Sequence, residues 1–267
     1  MIVDGKKITA EILKQIREEV SVAERDVIVR AVVQNPSPAT ESYLRIKQKK
    51  ALEAGMYLEV IRMEPEATTE DLIHKVGLSG ADAVIVQLPL PDSVDTHAVL
   101  ESIPLEKDAD ILSRQAKELF EKGEGPLPPV VGAVKEILER SGIEVAGKKA
   151  YVIGQGQLVG LPVAQWLTMK GAQVTVLTQA DSDLSVLRNA DIIVSGAGKG
   201  GIIKPEHLRE GVVLIDAGTS ESGGSIVGDA DPRCSEVASV FTPVPGGVGP
   251  VAVAYLFKNV LDLVKNR

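Results

Sequence analysis

Short apolar runs alternate with longer amphipathic segments along the chain. The apolar runs, rich in β-branched residues, predict strands at residues 27–33, 57–63, 83–88, 148–153, 173–177, 191–195 and 212–216. The spacing of apolar positions predicts helices at residues 8–20, 69–78, 111–120, 130–141, 161–170 and 251–265. This alternation predicts an α/β fold with parallel sheets and right-handed crossovers. It pauses around residues 107–129, where we expect a domain boundary.

A further helix, without glycine or proline in its body, is expected after the first strand. Pro38 suits its first turn, Ser37 its N-cap and Gly55 its end. Tyr43 and Lys47 are four residues apart, so both project from one helix face. A phenol beside an amine could hold a flat substrate and handle protons. The competing interpretation is a half-buried ring beside a solvated amine, which is the commoner role of such a pair.

Two more candidate residues follow apolar runs. Gln87 lies near the end of the expected strand Ala83–Leu88, at the edge of a parallel sheet where ligands gather. Asp110 lies just before the helix expected from Ile111, where it could cap the N-terminus of that helix.

A glycine-rich turn joins the strand expected at 148–153 to the helix expected at 161–170. It contains Gly154, Gly156 and Gly160, and a further strand follows within about thirty residues, as in dinucleotide-binding units. Such glycines let backbone amides approach a pyrophosphate at a helix N-terminus. The spacing is GxGxxxG rather than GxGxxG, so the surrounding strand and helix carry the prediction.

Composition narrows the function classes. Apolar residues make up 44% of the chain and charged residues 25%, as in an ordinary globular protein. The net charge of −8 and the lack of a dense basic cluster argue against nucleic-acid and membrane partners. A single cysteine, Cys234, excludes an internal disulfide framework and suits the reducing cytosol, and three scattered histidines predict no metal site. With no signal peptide or membrane-length apolar run, we expect a cytoplasmic protein.

Five sequence blocks, which follow one another in the same order as in one known family, resemble that family. The segment 241–250 holds three prolines and three glycines, which specifies a rigid turn typical of a binding wall. The sequence is similar to the methylenetetrahydrofolate dehydrogenase/cyclohydrolase family, the FolD proteins, over nearly its whole length. The matching blocks are Pro38–Thr40 with Tyr43–Lys47, Val86–Pro91, Lys107–Asp110, Val152–Gly154 with Val159–Pro162, and Thr242–Pro250.

The resemblance implies two reactions and a role for each matched residue. Methylenetetrahydrofolate would lose a hydride to NAD(P)+, and the methenyl product would then be hydrolysed to 10-formyltetrahydrofolate, an intermediate of one-carbon metabolism and purine biosynthesis. Lys47 would be the catalytic amine, Gln87 would orient it, Tyr43 would stack on the folate and Asp110 would accept two N–H bonds from the pterin. The implied substrate site comprises Tyr43, Lys47, Val86, Gln87, Leu88, Asp110, Pro245, Gly246, Gly247, Val248 and Gly249. The implied cofactor site comprises Gly154, Gln155, Gly156, Gly160, Gln179 and Thr219.

The family's architecture supplies the remaining expectations. We expect two α/β domains across a cleft, with a folate-binding catalytic domain at 1–124 plus 249–267. A Rossmann-type NAD(P)-binding domain would occupy 125–248. The resemblance further implies a homodimer formed through the nucleotide domain.

The sequence departs from the family pattern at the expected cofactor phosphate and in the catalytic domain. The family usually has an Arg-Ser pair whose arginine meets the 2′-phosphate of NADP, and this pair is replaced here by Gln155-Gly156. A serine usual after the next strand is replaced by Gln179, and Asp181 and Asp183 follow it. The resemblance implies NADP, but carboxylates repel a phosphate, so NAD use is plausible. After Asp110 the family usually has a glycine, which is replaced here by Ile111. The family's usual Pro-Cys-Thr-Pro block is replaced by Gly125–Pro129. Two alternatives therefore stay open: a cyclohydrolase with weak or lost dehydrogenase activity, and a non-catalytic folate- or dinucleotide-binding protein.

Overall fold

A computed structural model describes residues 1–22, 25–178, 180–181, 183–222 and 225–266. The helices are α1 (Gly5–Val20), α2 (Pro38–Glu53), α3 (Thr69–Gly77), α4 (Thr96–Glu101), α5 (Arg114–Glu121), α6 (Pro129–Arg140), α7 (Gly160–Met169) and α8 (Val248–Lys265). The strands are β1 (Ile28–Gln34), β2 (Tyr57–Met63), β3 (Ala83–Val86), β4 (Lys149–Ile153), β5 (Gln173–Leu177), β6 (Ile192–Ser195), β7 (Val213–Asp216), β8 (Ser220–Ser222), β9 (Ser225–Val227) and β10 (Val240–Phe241). This mixed α/β fold with parallel sheets confirms the predicted fold class. None of the helices within the described ranges is both long and apolar enough to cross a membrane.

The chain divides into two compact units. The Lys47 unit comprises Ala10–Pro129 and Val253–Arg267, and the Gly154 unit comprises Met1–Thr9 and Val130–Ala252. The division falls within α1 and α8, so each of these helices contributes residues to both units. The functional domain ranges expected above, 1–124 with 249–267 and 125–248, stay a prediction.

The Lys47 unit is built on a three-stranded parallel sheet in the order β2-β1-β3. Every residue of β3 and all but the first of β1 are buried, because helices cover both faces of such strands and select continuous apolar runs. β2 lies at the sheet edge and alternates more in burial. An isolated parallel bridge between Val84 and Asp108 continues the sheet beyond β3.

The Gly154 unit is built on a five-stranded parallel sheet in the order β10-β7-β6-β4-β5. The first strand of the unit, β4, lies between β5 on one side and β6 on the other. The strand order therefore reverses at β4, and ligands of doubly wound sheets bind at the carboxyl edge of such a switch point. The turn that starts at Gly154 follows β4 directly, so the fold places it at this point.

One expected helix begins later than predicted, for a local reason. The helix expected from residue 111 starts at Arg114, where the hydroxyl of Ser113 accepts a hydrogen bond from the backbone N–H of Ala116 (3.3 Å). Ile111 has φ 56°, in the left-handed region, and cannot belong to a right-handed helix. Asp110 therefore does not cap α5, and the capping interpretation of Asp110 is wrong.

Candidate functional site

Helix α2 carries Tyr43 and Lys47, and it begins as the sequence predicts. Ser37 is its N-cap, with its hydroxyl accepting a hydrogen bond from the N–H of Thr40 (3.1 Å), and Pro38 occupies the first turn. Leu44 and Ala51, both fully buried, anchor the helix to the core of the Lys47 unit. Tyr43 is 36% exposed, so its ring is available to a ligand.

The sheet brings Gln87 and Asp110 to the same edge. Gln87 directly follows β3, and Asp110 lies two residues beyond Asp108, which bridges to Val84 of that strand. The Nζ atom of Lys47 donates a hydrogen bond to Oε1 of Gln87 (3.0 Å). Nε2 of Gln87 in turn donates to the backbone carbonyl of Leu88 (3.0 Å), which fixes the orientation of the amide. The predicted pairing of Lys47 with Gln87 is therefore present in the fold.

Lys47 and Asp110 influence each other's protonation. Burial lowers the pKa of the Lys47 amine, and the carboxylate of Asp110 partly opposes this shift. Burial raises the pKa of Asp110, a shift that the Lys47 charge opposes and the Asp108 charge reinforces. A larger fraction of Lys47 is therefore neutral at a given pH than for a free lysine, as a group that accepts a proton requires.

Other expected substrate residues differ in accessibility. Val86 is 1% exposed and packs in the core of the Lys47 unit, so its side chain offers almost no surface to a ligand. Leu88 is half-buried and lies two residues beyond the end of β3. Their contacts with a substrate stay predictions.

The segment Pro245–Gly249 belongs to the Gly154 unit and is tightly packed within it. A side chain at position 247 would meet the carbonyl oxygen of Pro243 at 2.6 Å, so the backbone path requires glycine there. The N–H of Gly247 donates to that same carbonyl (2.7 Å), and α8 begins at Val248. The segment is thus a fixed turn, as its composition predicts, while its role as a folate wall stays a prediction.

The turn between β4 and α7 leaves backbone open where a pyrophosphate would bind. A Cβ atom at Gly160 would meet the carbonyl oxygen of Gly154 at 2.0 Å, so the first residue of α7 must be glycine for the turn to close. Gly156 is exposed, with nothing within 4 Å of the position a Cβ would take. Exposed backbone at a helix N-terminus suits the pyrophosphate of a dinucleotide.

The end of β5, where Rossmann folds meet the adenosine ribose, carries negative charge. Asp181 accepts hydrogen bonds from the backbone N–H (2.7 Å) and hydroxyl (3.0 Å) of Thr178, and these bonds lower its pKa. Asp183 accepts from the N–H of Ser185 (2.9 Å), and its pKa is lowered in the same way. The exposed Gln155 brings no charge, and Gln179 lies outside the described residues. Two ionised carboxylates therefore follow the end of β5.

Two buried carboxylates that sequence reasoning did not single out shape the loops after β6 and β7. Asp229 accepts from the hydroxyl of Ser195 (2.6 Å) and from the N–H groups of Ala197 and Lys199 (both 2.7 Å). Asp216 accepts from Gly218 N–H (2.9 Å) and Ala230 N–H (2.8 Å).

Both carboxylates are almost fully buried, and they lie close enough for their charges to interact. Burial, reinforced by the charge of Asp229, raises the pKa of Asp216 to about 7. The loops they hold include the exposed Thr219, an expected cofactor residue. A carboxylate closing an otherwise apolar strand is the signal that could have identified Asp216.

Two matches to known families cover most of the chain. Residues 3–110 match the family described as Tetrahydrofolate dehydrogenase/cyclohydrolase, catalytic domain. Residues 128–267 match its partner, Tetrahydrofolate dehydrogenase/cyclohydrolase, NAD(P)-binding domain.

Individual relatives agree over the full length. The bifunctional protein FolD of Halothermothrix orenii is 38% identical, with 99% of this chain and 98% of the relative covered. The crystal structure of the bifunctional enzyme FolD from Campylobacter jejuni is 32% identical with a TM-score of 0.95, covering 100% of this chain and 99% of that one. The Trypanosoma brucei methylenetetrahydrofolate dehydrogenase-cyclohydrolase, solved with NADP cofactor and an inhibitor, is 32% identical with a TM-score of 0.93, covering 100% and 97%. The family matches and the full-length identity agree with the geometry above: this chain belongs to the tetrahydrofolate dehydrogenase/cyclohydrolase family.

Proposed function

We propose that this protein oxidises 5,10-methylenetetrahydrofolate to the 5,10-methenyl cation and then hydrolyses that cation to 10-formyltetrahydrofolate. The observation that carries the proposal is the Lys47–Gln87 hydrogen bond of 3.0 Å, together with the half-buried carboxylate of Asp110, whose charge interacts with that of Lys47. It supplies a proton-accepting amine and a carboxylate at one edge of the sheet, inside a chain of this family.

In the hydrolytic half, Lys47 handles the protons. Water adds to the methenyl carbon and gives up one proton to the neutral amine of Lys47, which leaves a hydroxyl group on that carbon. The bond from that carbon to N5 then breaks as the hydroxyl loses its remaining proton to become the formyl C=O and N5 takes a proton. The positive charge of the substrate further favours the neutral amine. Gln87 keeps the amine in place, because its own amide is fixed by Leu88.

Binding of the folate falls to the neighbouring residues. Asp110 accepts two N–H bonds from the aminopyrimidine edge of the pterin, an arrangement one carboxylate fits well. Tyr43 stacks on the folate from the same helix face as Lys47.

In the oxidative half, a nicotinamide dinucleotide, when bound, would accept the hydride that leaves the bridging methylene. The backbone of Gly154, Gln155, Gly156 and Gly160 would hold its pyrophosphate at the N-terminus of α7. Thr219, on the loop after β7, and Gln179 complete the proposed cofactor set.

We propose that the preference for NADP is weaker than is usual for the family and that NAD is also used. No lysine or arginine occurs between Gly154 and Trp166, and Asp181 and Asp183 are ionised beside the end of β5. Initial rates with each coenzyme measure the ratio of kcat/KM, and a large preference for NADP would overturn the proposal. Gln155→Arg is expected to raise kcat/KM for NADP while leaving that for NAD nearly unchanged.

One absorbance time course tests the main function. Purified protein with methylenetetrahydrofolate and either coenzyme is expected to form the methenyl chromophore and then consume it. Decay of supplied methenyltetrahydrofolate without chromophore formation from the methylene substrate would establish the cyclohydrolase-only alternative. Folate binding without either step would establish a binding protein.

The family resemblance further supports a cytoplasmic homodimer. Light scattering coupled to size-exclusion chromatography measures the mass of the protein in solution. A mass of one chain at micromolar concentration would contradict the dimer.

A further inference from the structure

The residue that follows Asp110 is held in an unfavourable backbone conformation. Ile111 has φ 56° and is 3% exposed. The left-handed region costs a non-glycine residue about 1–2 kcal/mol, and β-branching makes it rarer still. The family pattern has a glycine at this position, which would adopt the same angle without cost. Surrounding contacts must therefore hold this turn in place.

Asp108 provides the first set of contacts. Its carboxylate is 1% exposed and accepts hydrogen bonds from the N–H of Leu112 (3.1 Å to each oxygen) and of Ser113 (2.8 Å). The backbone of Asp108 is bridged to Val84 of β3. The residues on both sides of Asp110 and Ile111 are thereby tied together, and the whole turn is fixed to the sheet.

Asn259 provides the second set from a distant part of the chain. It lies on α8, is 3% exposed, and its Nδ2 donates to the backbone carbonyls of Ala109 and Leu127 (both 2.9 Å). Both amide hydrogens are used, so the side chain acts as a bridge between two loops. Leu127 belongs to Gly125–Pro129, the second segment where this sequence departs from the family pattern.

We propose that Asp108 and Asn259 are positioning residues that hold the Asp110–Ile111 turn and so keep the Asp110 carboxylate within electrostatic range of Lys47. This inference rests on the proposed function, since it assigns these residues to the folate and proton-transfer site. Displacing a reacting group by about 1 Å can cost about a hundredfold in rate, so loosening the turn has a catalytic consequence.

The test uses variants that remove the bridge without adding charge. Asn259→Leu keeps the size and shape of the side chain and removes both donors, and Asn259→Ser is a milder version if the leucine variant fails to fold. Asn266→Leu is the matched control, because Asn266 is exposed and follows the end of the same helix. Asp110→Asn is the reference for loss of the carboxylate itself.

The readout is the pH dependence of methenyltetrahydrofolate hydrolysis together with KM. Asp110 favours the charged form of Lys47, so removing its field shifts the acid limb of kcat/KM to lower pH. We expect Asn259→Leu or Asn259→Ser to move the acid limb in the same direction as Asp110→Asn. The two Asn259 variants are further expected to raise KM and to lower kcat/KM by about tenfold or more. Asn266→Leu should retain the wild-type profile.

A purely structural role gives a different result. If the Asn259 variants lose thermal stability but keep the wild-type pH profile and KM, the positioning role is overturned. If the wild-type protein itself does not hydrolyse the substrate, the proposed function fails instead, so the two failures are distinguishable. An Asp110→Asn/Asn259→Ser double variant should show no further pH shift beyond Asp110→Asn alone.

Discussion

At the scale of single residues, the site depends on three side chains whose environments change their chemistry. Lys47 is less basic than a free lysine because of burial, and Asp110 is less acidic for the same reason. Gln87 is neutral and connects the amine to the backbone at Leu88. An amine and a carboxylate whose pKa values move toward each other are suited to exchanging and stabilising protons.

The strain at Ile111 can be measured with two substitutions. Ile111→Gly and Ile111→Ala both lose the buried side chain, so both are expected to lower the free energy of unfolding, by about 2–5 kcal/mol for the alanine variant. At ordinary positions a protein with glycine is less stable than the same protein with alanine by about 0.4–1 kcal/mol. Because φ is 56° here, we expect the reverse order, with Ile111→Gly the more stable of the two in urea unfolding. An alanine variant more stable than the glycine variant would show that the turn is not strained.

The hydrogen bond between Lys47 and Gln87 was predicted from the sequence. The conformation of Ile111 and the contacts of Asn259 were not. The pairing was implied by the family resemblance, while helical spacing and the strand-end rule indicated only where Lys47 and Gln87 would lie. Nothing local to Ile111 signals a left-handed angle, since β-branched residues rarely adopt one. Asn259 contacts Ala109 across 150 residues of sequence, a separation that no local pattern describes.

At the scale of elements, the strand–turn–helix unit of β4 and α7 is the proposed site of the coenzyme. Most strands and helices could be predicted from apolar periodicity because buried strands here are continuous apolar runs. β8, β9 and β10 have two or three residues each, too few to show a period, and they were not anticipated. The start of α5 was misplaced because a hydroxyl cap at Ser113 outweighed the apolar pattern.

Two glycines of this turn give a matched pair of variants. Gly160→Ala places a Cβ atom 2.0 Å from the carbonyl oxygen of Gly154, so the turn must open. We expect a loss of about 1–3 kcal/mol in stability and weaker dinucleotide binding by calorimetric titration. Gly156→Ala points into open space and is expected to leave stability nearly unchanged. Equal stability of the two variants would contradict this account of the turn.

At the scale of the whole molecule, each unit supplies one half of the proposed chemistry. The Lys47 unit holds the proton-handling residues, and the Gly154 unit holds the dinucleotide turn together with the buried pair Asp216 and Asp229. Composition predicted a globular chain, the alternation of apolar runs and amphipathic segments predicted the α/β fold, and the ordered blocks predicted the family. The pairing of Asp216 with Asp229 could be recognised only in the fold. The loops after β6 and β7 bring the two carboxylates together, and no regular spacing along the sequence indicates this.

The buried pair predicts how stability depends on pH. The pKa of Asp216 is about 7 in the folded protein, against 3.8 for an unperturbed aspartate, so the folded state binds more protons between these limits. Its contribution to stability is therefore present at low pH and is lost as pH rises through about 7. At about 1.4 kcal/mol for each pKa unit, the change is of the order of a few kcal/mol.

Asp216→Asn removes this titration. We expect the melting temperature of the variant to rise relative to wild type by several degrees between about pH 5 and pH 8, whatever its offset at low pH. Asp92→Asn, at an exposed position, is the control and should follow the wild-type curve. Parallel curves for Asp216→Asn and wild type would show that Asp216 does not titrate in this range.

The most direct test of the proposed chemistry is the hydrolysis of methenyltetrahydrofolate by Lys47→Met. The substrate is supplied directly, its absorbance is followed, and folate binding is measured separately. The control is Lys49→Met, because Lys49 is an exposed lysine on the same helix. We predict that Lys49→Met hydrolyses at the wild-type rate, while Lys47→Met still binds folate but gives only the rate seen in buffer. Hydrolysis by Lys47→Met at the wild-type rate would contradict the assignment of Lys47 as the catalytic amine.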